Sequence, residues 1–260
     1  YYVFKWLFIM KKRLDVILFE RNLFDSREKA KREIMVGNVI VNEQKITKAG
    51  TMYNDDDKLD IRIKDKLKYV SRGGLKLEGA IKSFNIDFKN MIVLDIGAST
   101  GGFTDCALQN GAKFVYSVDV GTNQLAYSLR NDNRVKSLEN THINKLDKNE
   151  LNLGLADIVV ADVSFISLTK IIPYIREYIK ESALLVLLIK PQFEVGSEFI
   201  GKNGIVKEEA YHQMAINKVK ESLKSNLYEL LDIAVSPIKG TKGNTEYLAF
   251  VKDVRNDERK

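Results

Sequence analysis

The sequence predicts an α/β protein in which a small α+β module precedes a doubly wound, mostly parallel sheet of Rossmann type. Beyond residue 75, apolar runs of strand length alternate with helical segments, which is typical of a parallel sheet covered on both faces. The first of these runs ends in an acid and a glycine-rich turn, and helical sequence follows at once. The first 68 residues differ, because they combine basic helical sequence with short apolar runs.

The composition favours a globular chain with an anionic partner. The 260 residues are 45% hydrophobic and 29% charged, and the basic excess gives a formal net charge of +6. This excess favours a polyanion, although a lysine-rich composition alone gives the same value. The single cysteine, Cys106, excludes an internal disulfide and predicts a reducing, cytoplasmic location. His142 and His212 have no cysteine partners at metal-ligand spacing, so we predict no metal site.

The first nine residues are apolar and are followed by the basic run at 11–13. A membrane span needs about 20 apolar residues. A signal peptide carries its positive charges before the apolar run, not after it. We therefore expect residues 1–9 to be a non-native or wrongly assigned extension, with translation beginning at Met10, and we expect no stable membrane association. A short surface-anchoring segment is the alternative interpretation.

Residues 10–68 form the predicted small module. Residues 13–20 are periodic enough for one helix, and Asp25 followed three positions later by Glu28 is a capping-box pattern that predicts a second. Apolar residues at 39–41 and 59–63 predict short strands. The second helix displays four cations, Arg27, Lys29, Lys31 and Arg32. We interpret this helix as an RNA-docking face, and the alternative is a solvated helix surface.

The remaining chain is predicted to be a joint at 69–75, a larger domain at 76–254 and a polar tail at 255–260. Gly73 and Gly74 permit a bend in the joint. Strands are predicted at 91–96, 114–119, 156–161 and 183–190, and helices near 102–110, 122–131, 167–180 and 208–225. The last two strands, at 228–236 and 246–252, are joined too briefly for a crossover helix, so they should pair antiparallel.

The glycine-rich turn predicts the ligand. Dinucleotide enzymes place a second glycine where this chain has Ser99, which counts against the alternative of an NAD-dependent dehydrogenase. The carboxylate of Asp95 suits an ammonium better than a phosphate, which indicates the amino-acid end of S-adenosylmethionine. The candidate loop residues are Asp95, Gly97, Ala98, Ser99, Thr100, Gly101, Gly102 and Phe103.

Further candidates follow the other strand ends, where ligands bind in this topology. Asp119, followed by Val120, is placed to bind both ribose hydroxyls of adenosine, and the alternative is an N-cap for a helix over 122–131. Asp162 would lie near the methionine portion. Lys190 ends a run of six apolar residues, where a lysine is costly to bury without a partner or a function. Lys76 and Glu246, taken alone, are more simply interpreted as salt-bridge partners.

Together these segments resemble a known family. Residues 13–42 resemble the RNA-binding domain named after ribosomal protein S-four. Five further segments are similar to the TlyA family, whose members carry the names haemolysin and ribosomal RNA 2′-O-methyltransferase; they are 70–77, 94–105, 161–168, 190–196 and 243–247. The resemblance covers residues 10–252. It implies an S-four-type domain joined to an FtsJ-like catalytic domain, S-adenosylmethionine as cofactor, and ribosomal RNA or ribosomal subunits as partner.

The resemblance also implies roles for particular residues. FtsJ-like enzymes carry a Lys-Asp-Lys-Glu tetrad, which falls on Lys76, Asp162, Lys190 and Glu246. The substrate implied is a cytidine of large-subunit rRNA and, in some members, another in the small subunit. Arg72 joins the candidate RNA-binding residues. Many relatives carry Arg-Thr-Asn-Ile near the adenine, where this chain has Asn-Thr-His-Ile, so His142 becomes a candidate adenine contact.

The tetrad suits methylation of a ribose 2′-hydroxyl, which is a weak acid and a poor nucleophile. The enzyme must align the oxygen with the activated methyl group and help the proton to leave. Lys190 either accepts this proton as a neutral amine or stays charged and stabilises the developing oxyanion. Two other functions remain open. One is a membrane-active haemolysin, which liposome leakage would test, and the other is a non-catalytic, RNA-binding ribosome-assembly factor.

Overall fold

The computed structural model describes residues 11–56, 59–63 and 68–255. The predicted extension at 1–9 and the predicted tail beyond residue 255 lie outside these ranges. The chain divides into two compact units, Tyr1–Leu67 and Lys68–Lys260. Among the described residues, no helix is long and apolar enough to cross a membrane.

The first unit is a small α+β fold. Helices α1 and α2 span Leu14–Glu20 and Arg27–Met35, and the strands are β1 Lys11–Arg13, β2 Val39–Val41, β3 Gln44–Ile46, β4 Met52–Asn54 and β5 Ile61–Ile63. Strands β3, β2 and β5 form one antiparallel sheet, and β1 pairs with β4. Leu14, Ile17 and Leu18 recur on one face of α1 and are fully buried, so this helical periodicity builds the core.

The start of α2 differs from the predicted capping box. Ser26 is the N-cap, and its hydroxyl accepts a hydrogen bond from the Lys29 amide at 3.2 Å. Asp25 lies one residue before the cap and instead pairs with the Lys29 ammonium at 2.9 Å. With Ser26 as the cap, the helix starts one residue later than predicted, and the free amide that is satisfied is that of Lys29 instead of Glu28.

The second unit is built on a seven-stranded sheet in the order β11-β12-β10-β9-β6-β7-β8. These strands span β6 Ile92–Ile96, β7 Phe114–Val118, β8 Val135–Leu138, β9 Ala156–Ala161, β10 Ile179–Ile189, β11 Tyr228–Val235 and β12 Tyr247–Asp253. The helices are α3 Gly73–Phe84, α4 Gly102–Gln109, α5 Tyr127–Arg130, α6 Ile172–Ile175, α7 Pro191–Glu194 and α8 Glu209–Ser225. Strand β12 pairs antiparallel with β11, as predicted, and also with β10, while β6 to β10 are parallel.

The predicted joint is partly helical. Gly73 and Gly74 form the first turn of α3, and neither has a positive φ. Gly74 is instead required by packing, because a Cβ there would lie 2.4 Å from Cγ of Tyr69. The glycine that suggested a bend is therefore present because α3 packs closely against the Tyr69 side chain.

Two predicted helices are shorter than expected. The helix predicted over 122–131 is reduced to α5, four residues long. The range 167–180 contains α6 between two short 3₁₀ turns, and its last residues already belong to β10, which begins at Ile179. The 3₁₀ turn Arg176–Tyr178 leads directly into β10, whose first residue, Ile179, is buried in the core of the sheet.

The parallel strands β6, β7, β9 and β10 direct their carboxyl ends to one edge of the sheet. The glycine loop follows β6, Asp119 follows β7, Asp162 follows β9 and Lys190 follows β10. Apolar clusters cover both faces of the sheet and hold these strand ends in register. The topology therefore gathers the candidate residues that the sequence separates by nearly a hundred positions.

Candidate active site

Four charged side chains of alternating sign meet at this edge of the sheet. Lys190 Nζ lies 2.5 Å from Asp162 Oδ1, and Lys76 Nζ lies 3.4 Å from the other oxygen of the same carboxylate. Lys76 Nζ also lies 2.7 Å from Glu246 Oε2. Lys76, Lys190 and Glu246 are buried, with 8%, 7% and 2% of their surface exposed. Buried charges of this kind are stable only because each has an opposite charge beside it.

Each member of the cluster is held by the start or end of a regular element. Lys76 lies in the first turn of α3, and Asp162 directly follows β9. Lys190 ends the extended run of β10, and Pro191 starts α7 there because its ring fixes a helical φ and needs no amide donor. Glu246 precedes β12. A Cβ on Gly240 would lie 1.9 Å from Glu246 Oε1, so only glycine lets the neighbouring loop approach this acid.

Ser164 is a further member of the site that the sequence did not reveal. Its hydroxyl accepts a hydrogen bond from Lys190 Nζ at 2.8 Å. Lys190 Nζ therefore donates a hydrogen bond to Ser164 and lies in ion-pair contact with Asp162, so two polar neighbours fix its position.

The glycine loop has the backbone conformation that its sequence predicts. Gly97 and Gly101 have φ values of +80° and +91°, and Ser99 has a φ of +48°. A Cβ at Gly97 would lie 2.9 Å from the carbonyl oxygen of Asp162, so this glycine lets the ends of β6 and β9 come together. Helix α4 begins at Gly102, which leaves the loop amides at a helix N-terminus.

Asp119 fastens this loop. Its two carboxylate oxygens accept hydrogen bonds from the Ser99 and Gly121 amides, both at 2.7 Å. Helix α5 begins at Tyr127 with Ala126 as its cap, so the alternative that Asp119 is a helix N-cap is wrong. A carboxylate held by backbone amides in this way keeps a fixed orientation and has further lone pairs for a ligand.

Asp95 lies behind the loop and not in it. Its side chain is fully buried, Oδ2 accepts a hydrogen bond from Thr104 Oγ1 at 2.6 Å, and Oδ1 has no partner among the described residues. Burial raises the pKa of Asp95 to about 7, although the Thr104 hydrogen bond acts in the other direction. The free oxygen is therefore an acceptor that still lacks a donor.

Two connected cavities lie over the strand ends. One has a volume of about 600 Å³ and contains Lys76, Lys190 and the glycine loop; the other, of about 570 Å³, lies beside Asp119. Gly97, Ser99, Asp162 and Ser164 line both. Of the predicted cofactor residues, Val120 and His142 line the second cavity, while Asp95 and Gly101 line neither.

These cavities fit S-adenosylmethionine by chemical character. The first is mainly polar and charged, and the second has an apolar wall with Asp119 at its edge. A nucleoside with a charged amino-acid end needs this combination of an apolar slot, a carboxylate for the ribose and polar loop amides. Asp95 is fully buried and lines neither cavity, so a contact with the ammonium end stays a prediction from the sequence.

An exposed aromatic side chain stands beside the cluster. Phe165 is 92% exposed and has a φ of +63°, which is strained for a residue with a bulky side chain. Its ring lies 5.3 Å from that of Phe193. Glu194, which is buried, accepts hydrogen bonds from the Ser167 hydroxyl at 2.5 Å and the Leu168 amide at 2.8 Å, and so fixes the end of this segment. The sequence signal is a large aromatic in the loop that follows β9, three residues after Asp162.

The cations predicted to bind RNA do not form one group. Arg27 pairs with the buried Asp15 at 3.0 Å, Lys29 pairs with Asp25, and Lys31 lies 4.0 Å from Glu28. Arg32 has no ion pair among the described residues of its unit. Arg72 belongs to the second unit and lines the larger cavity. Within the described ranges, no group of three His, Cys, Asp or Glu residues lies close enough to hold a metal ion.

Comparison with known proteins agrees with this architecture. Residues 69–252 match the FtsJ-like methyltransferase family, and residues 12–59 match the S4 domain. Hemolysin A of Brachyspira hyodysenteriae is 44% identical over 91% of this chain and 98% of its own length. The 16S/23S rRNA (cytidine-2′-O)-methyltransferase TlyA of Mycobacterium tuberculosis is 37% identical over 93% of this chain and 90% of its own. A solved structure named as a hemolysin, from Streptococcus thermophilus, is 43% identical with a TM-score of 0.73, over 95% of this chain and 90% of that one.

The fold and the two cavities thus define an S-adenosylmethionine-dependent methyltransferase that carries a small RNA-binding module. The match covers well over half of the chain. This protein belongs to the FtsJ-like methyltransferase family, within the group of TlyA and hemolysin-named proteins that add an S4 domain. The fold class, the family and the cofactor predicted from the sequence are confirmed.

Proposed function

We propose that this protein methylates the ribose 2′-hydroxyl of a cytidine in ribosomal RNA, in the large subunit and, as in its relative from M. tuberculosis, also in the small one. The observation that carries the proposal is the chain of ion pairs through Lys190, Asp162, Lys76 and Glu246 beside the glycine loop, in which all but Asp162 are buried. Two buried lysines oriented by two acids suit a reaction in which a hydroxyl must lose its proton. The relatives' names support cytidine in rRNA as the substrate.

The bound cofactor supplies a methyl group already activated by its sulfonium. The chain's own residues then have three tasks. Asp119 and the loop amides at Ser99 and Gly121 form a fixed binding edge. Asp162 orients Lys190 and Lys76 through its two oxygens. Lys190, held by Asp162 and Ser164, either takes the 2′-hydroxyl proton or stabilises the oxyanion as it forms.

Phe165 supports a nucleotide substrate. A ring that is 92% exposed and braced by Phe193 offers a surface on which a base can stack. Stacking of a base on an aromatic side chain contributes about 1–3 kcal/mol. Phe165 contacts Phe193, whose ring lies 5.9 Å from Lys190 Nζ, so a stacked base would keep its own ribose near the cluster.

We expect the S4 unit to bind the structured RNA that contains the target nucleotide. S4 domains are small modules, and shape and phosphate contacts dominate the recognition of structured RNA. Ribosomal RNA or a ribosomal subunit in the cytoplasm is therefore the partner we propose.

The decisive experiment maps 2′-O-methylation on both rRNAs from cells with and without the gene. One or more cytidine methylations should disappear with the gene and return with the wild-type chain. Purified protein should restore them on the isolated subunits with S-adenosylmethionine. Unchanged methylation maps, together with leakage of liposomes by the chain beginning at Met10, would favour the membrane-active alternative instead.

A further inference from the structure

Three exposed cations line the cavity that holds the buried cluster. They are Arg72, Lys239 and Lys242. Lys239 donates a hydrogen bond to Thr245 Oγ1 at 2.6 Å, and none of the three has an acidic partner among the described residues. The buried lysines of the same cavity, Lys76 and Lys190, are by contrast fully engaged with acids. The mouth of the cavity therefore carries positive charge that the described part of the protein does not neutralise.

The two lysines stand on a loop that is fixed in place. Asn244, only 2% exposed, accepts a hydrogen bond from the Val206 amide at 3.0 Å and donates one to the Gly204 carbonyl at 2.9 Å. The Gly240 amide donates to the Asn244 carbonyl at 2.8 Å, which closes the loop. Because Gly240 also packs against the Glu246 carboxylate, the backbone that carries Lys239 and Lys242 is fastened to the catalytic cluster.

The first unit offers a contrast. Three of the four cations predicted to bind RNA there, Arg27, Lys29 and Lys31, each lie against an acid of the same unit, and only Arg32 has no ion pair among the described residues. A cation in an ion pair must give up or share its acid when it binds a phosphate, whereas an unpaired cation gives up only water and counterions. Phosphate binding is therefore more favourable in free energy at the unpaired cations of the cavity than at the paired cations of the first unit.

We propose that Arg72, Lys239 and Lys242 bind phosphates of the RNA next to the target nucleotide. The catalytic unit then has an RNA-binding surface of its own, independent of the S4 unit. The identity of the ligand as RNA rests on the proposed function. The other anion that could reach this mouth is the carboxylate of S-adenosylmethionine, but a single carboxylate does not account for three separate cations.

The test compares a double variant, Lys239→Ala with Lys242→Ala, against a matched control, Lys220→Ala with Lys224→Ala on α8. The control lysines are exposed, form no ion pair in the described structure, and carry the same charge. Filter binding to unmodified 23S rRNA across a range of salt concentrations measures affinity without requiring catalysis. Calorimetry with S-adenosylmethionine and initial rates of methyl transfer complete the comparison.

We expect the rim variant, Lys239→Ala with Lys242→Ala, to bind RNA roughly tenfold more weakly at low salt. Its log–log salt slope should be shallower by about 1.4, because two phosphate contacts to a single strand are lost. Its KM for RNA should rise while kcat and cofactor affinity stay near wild type. Arg72→Gln should act in the same direction. The control should bind RNA like the wild type.

Equal RNA binding by the rim and control variants would overturn the inference. So would a rim variant that loses S-adenosylmethionine affinity but keeps RNA affinity, since the cations would then serve the cofactor. A wild-type chain that binds RNA but methylates none would refute the proposed function instead, and the binding comparison would still decide the role of the rim.

Discussion

Lys190 is the residue at which the two chemical roles of the cluster can be separated. Lys190→Ala should abolish methyl transfer and leave cofactor binding nearly unchanged, because the glycine loop and Asp119 do not depend on it. Lys190→Arg keeps a positive charge but cannot accept a proton, since a guanidinium stays protonated. If Lys190 is the base, the arginine variant should be almost as inactive as the alanine variant at any pH from about 6 to about 10.

Substantial activity in Lys190→Arg would rule out proton acceptance and leave oxyanion stabilisation. Normal activity in Lys190→Ala would remove the residue from the mechanism. Single-turnover rates with saturating rRNA measure the chemical step in each variant, and calorimetry with S-adenosylmethionine confirms that the site is intact.

Asp95 makes the stability of the catalytic unit depend on pH. Burial raises its folded pKa to about 7, while an unfolded aspartate titrates near 4. Between pH about 4 and about 7 the Asp95 carboxyl is protonated in the folded state and ionised in the unfolded state. Its contribution to the free energy of unfolding therefore falls as pH rises through this range and is constant above it. Asp95→Asn removes the charge and should therefore gain stability relative to wild type across this window.

Chemical denaturation of both proteins at about pH 5 and about pH 8 measures this effect. The difference in free energy of unfolding, variant minus wild type, should be more positive at the higher pH. The same difference at both values would mean that Asp95 titrates normally in the folded protein. If Asp95 receives the ammonium end, as the sequence predicts, S-adenosylmethionine should bind Asp95→Asn more weakly; equal affinity would agree with its burial away from both cavities.

Among the elements, α3 was the one most easily overlooked in the sequence. Its first turn contains Gly73 and Gly74, which have low helix propensity and suggested a joint. The structure explains Gly74 by its contact with Tyr69, since a Cβ at this position would lie 2.4 Å from the ring carbon Cγ. Gly74→Ala should therefore lower the free energy of unfolding by about 1–3 kcal/mol through overpacking.

Gly73→Ala is the matched control, because a Cβ there meets nothing closer than Ser71 Oγ at 3.3 Å. That variant should be neutral or slightly more stable, since alanine favours a helix by about 1 kcal/mol over glycine. Urea denaturation compares the two. Equal stabilities would show that Tyr69 moves away at little cost.

The sequence predicted elements well where the local pattern was strong and poorly where tertiary contacts decide. The run from β6 through the glycine loop to α4 could be predicted because apolar, glycine and helical signals follow one another. Strand β8 was missed, since its four residues, Val135–Leu138, include a lysine and a serine and lie at the sheet edge. That Lys76 and Glu246 lie beside Asp162 could be predicted only from the family resemblance, because local sequence does not determine the order of strands in a sheet. The proximity of Ser164, Lys239 and Lys242 to the cluster could not be predicted for the same reason.

At the scale of the whole molecule, the S4 unit and the catalytic unit should separate RNA capture from methyl transfer. Arg27 is unsuitable for testing this, because reversing its charge would place an acid beside the fully buried Asp15. Lys31→Glu with Arg32→Glu avoids this, since Lys31 has only a long contact of 4.0 Å with Glu28. RNA affinity should fall and its salt dependence should become shallower, while affinity for S-adenosylmethionine stays the same.

Filter binding and calorimetry on the full chain provide both measurements. RNA affinity that is unchanged at every salt concentration would show that α2 is a solvated surface. A parallel loss of cofactor affinity would indicate instead that the substitutions damage the whole protein.

The position of β12 in the sheet has a consequence for biosynthesis. This strand is the last of the described elements to leave the ribosome, yet it lies between β10 and β11 and brings Glu246 to the cluster. Domains emerge from the ribosome amino terminus first. A nascent chain can therefore complete the earlier parallel strands while Lys76 still lacks one acid and β10 still has an open edge. On the proposed mechanism, the catalytic cluster is complete only once Glu246 has been made, and a chain interrupted before residue 247 would expose an edge prone to aggregation.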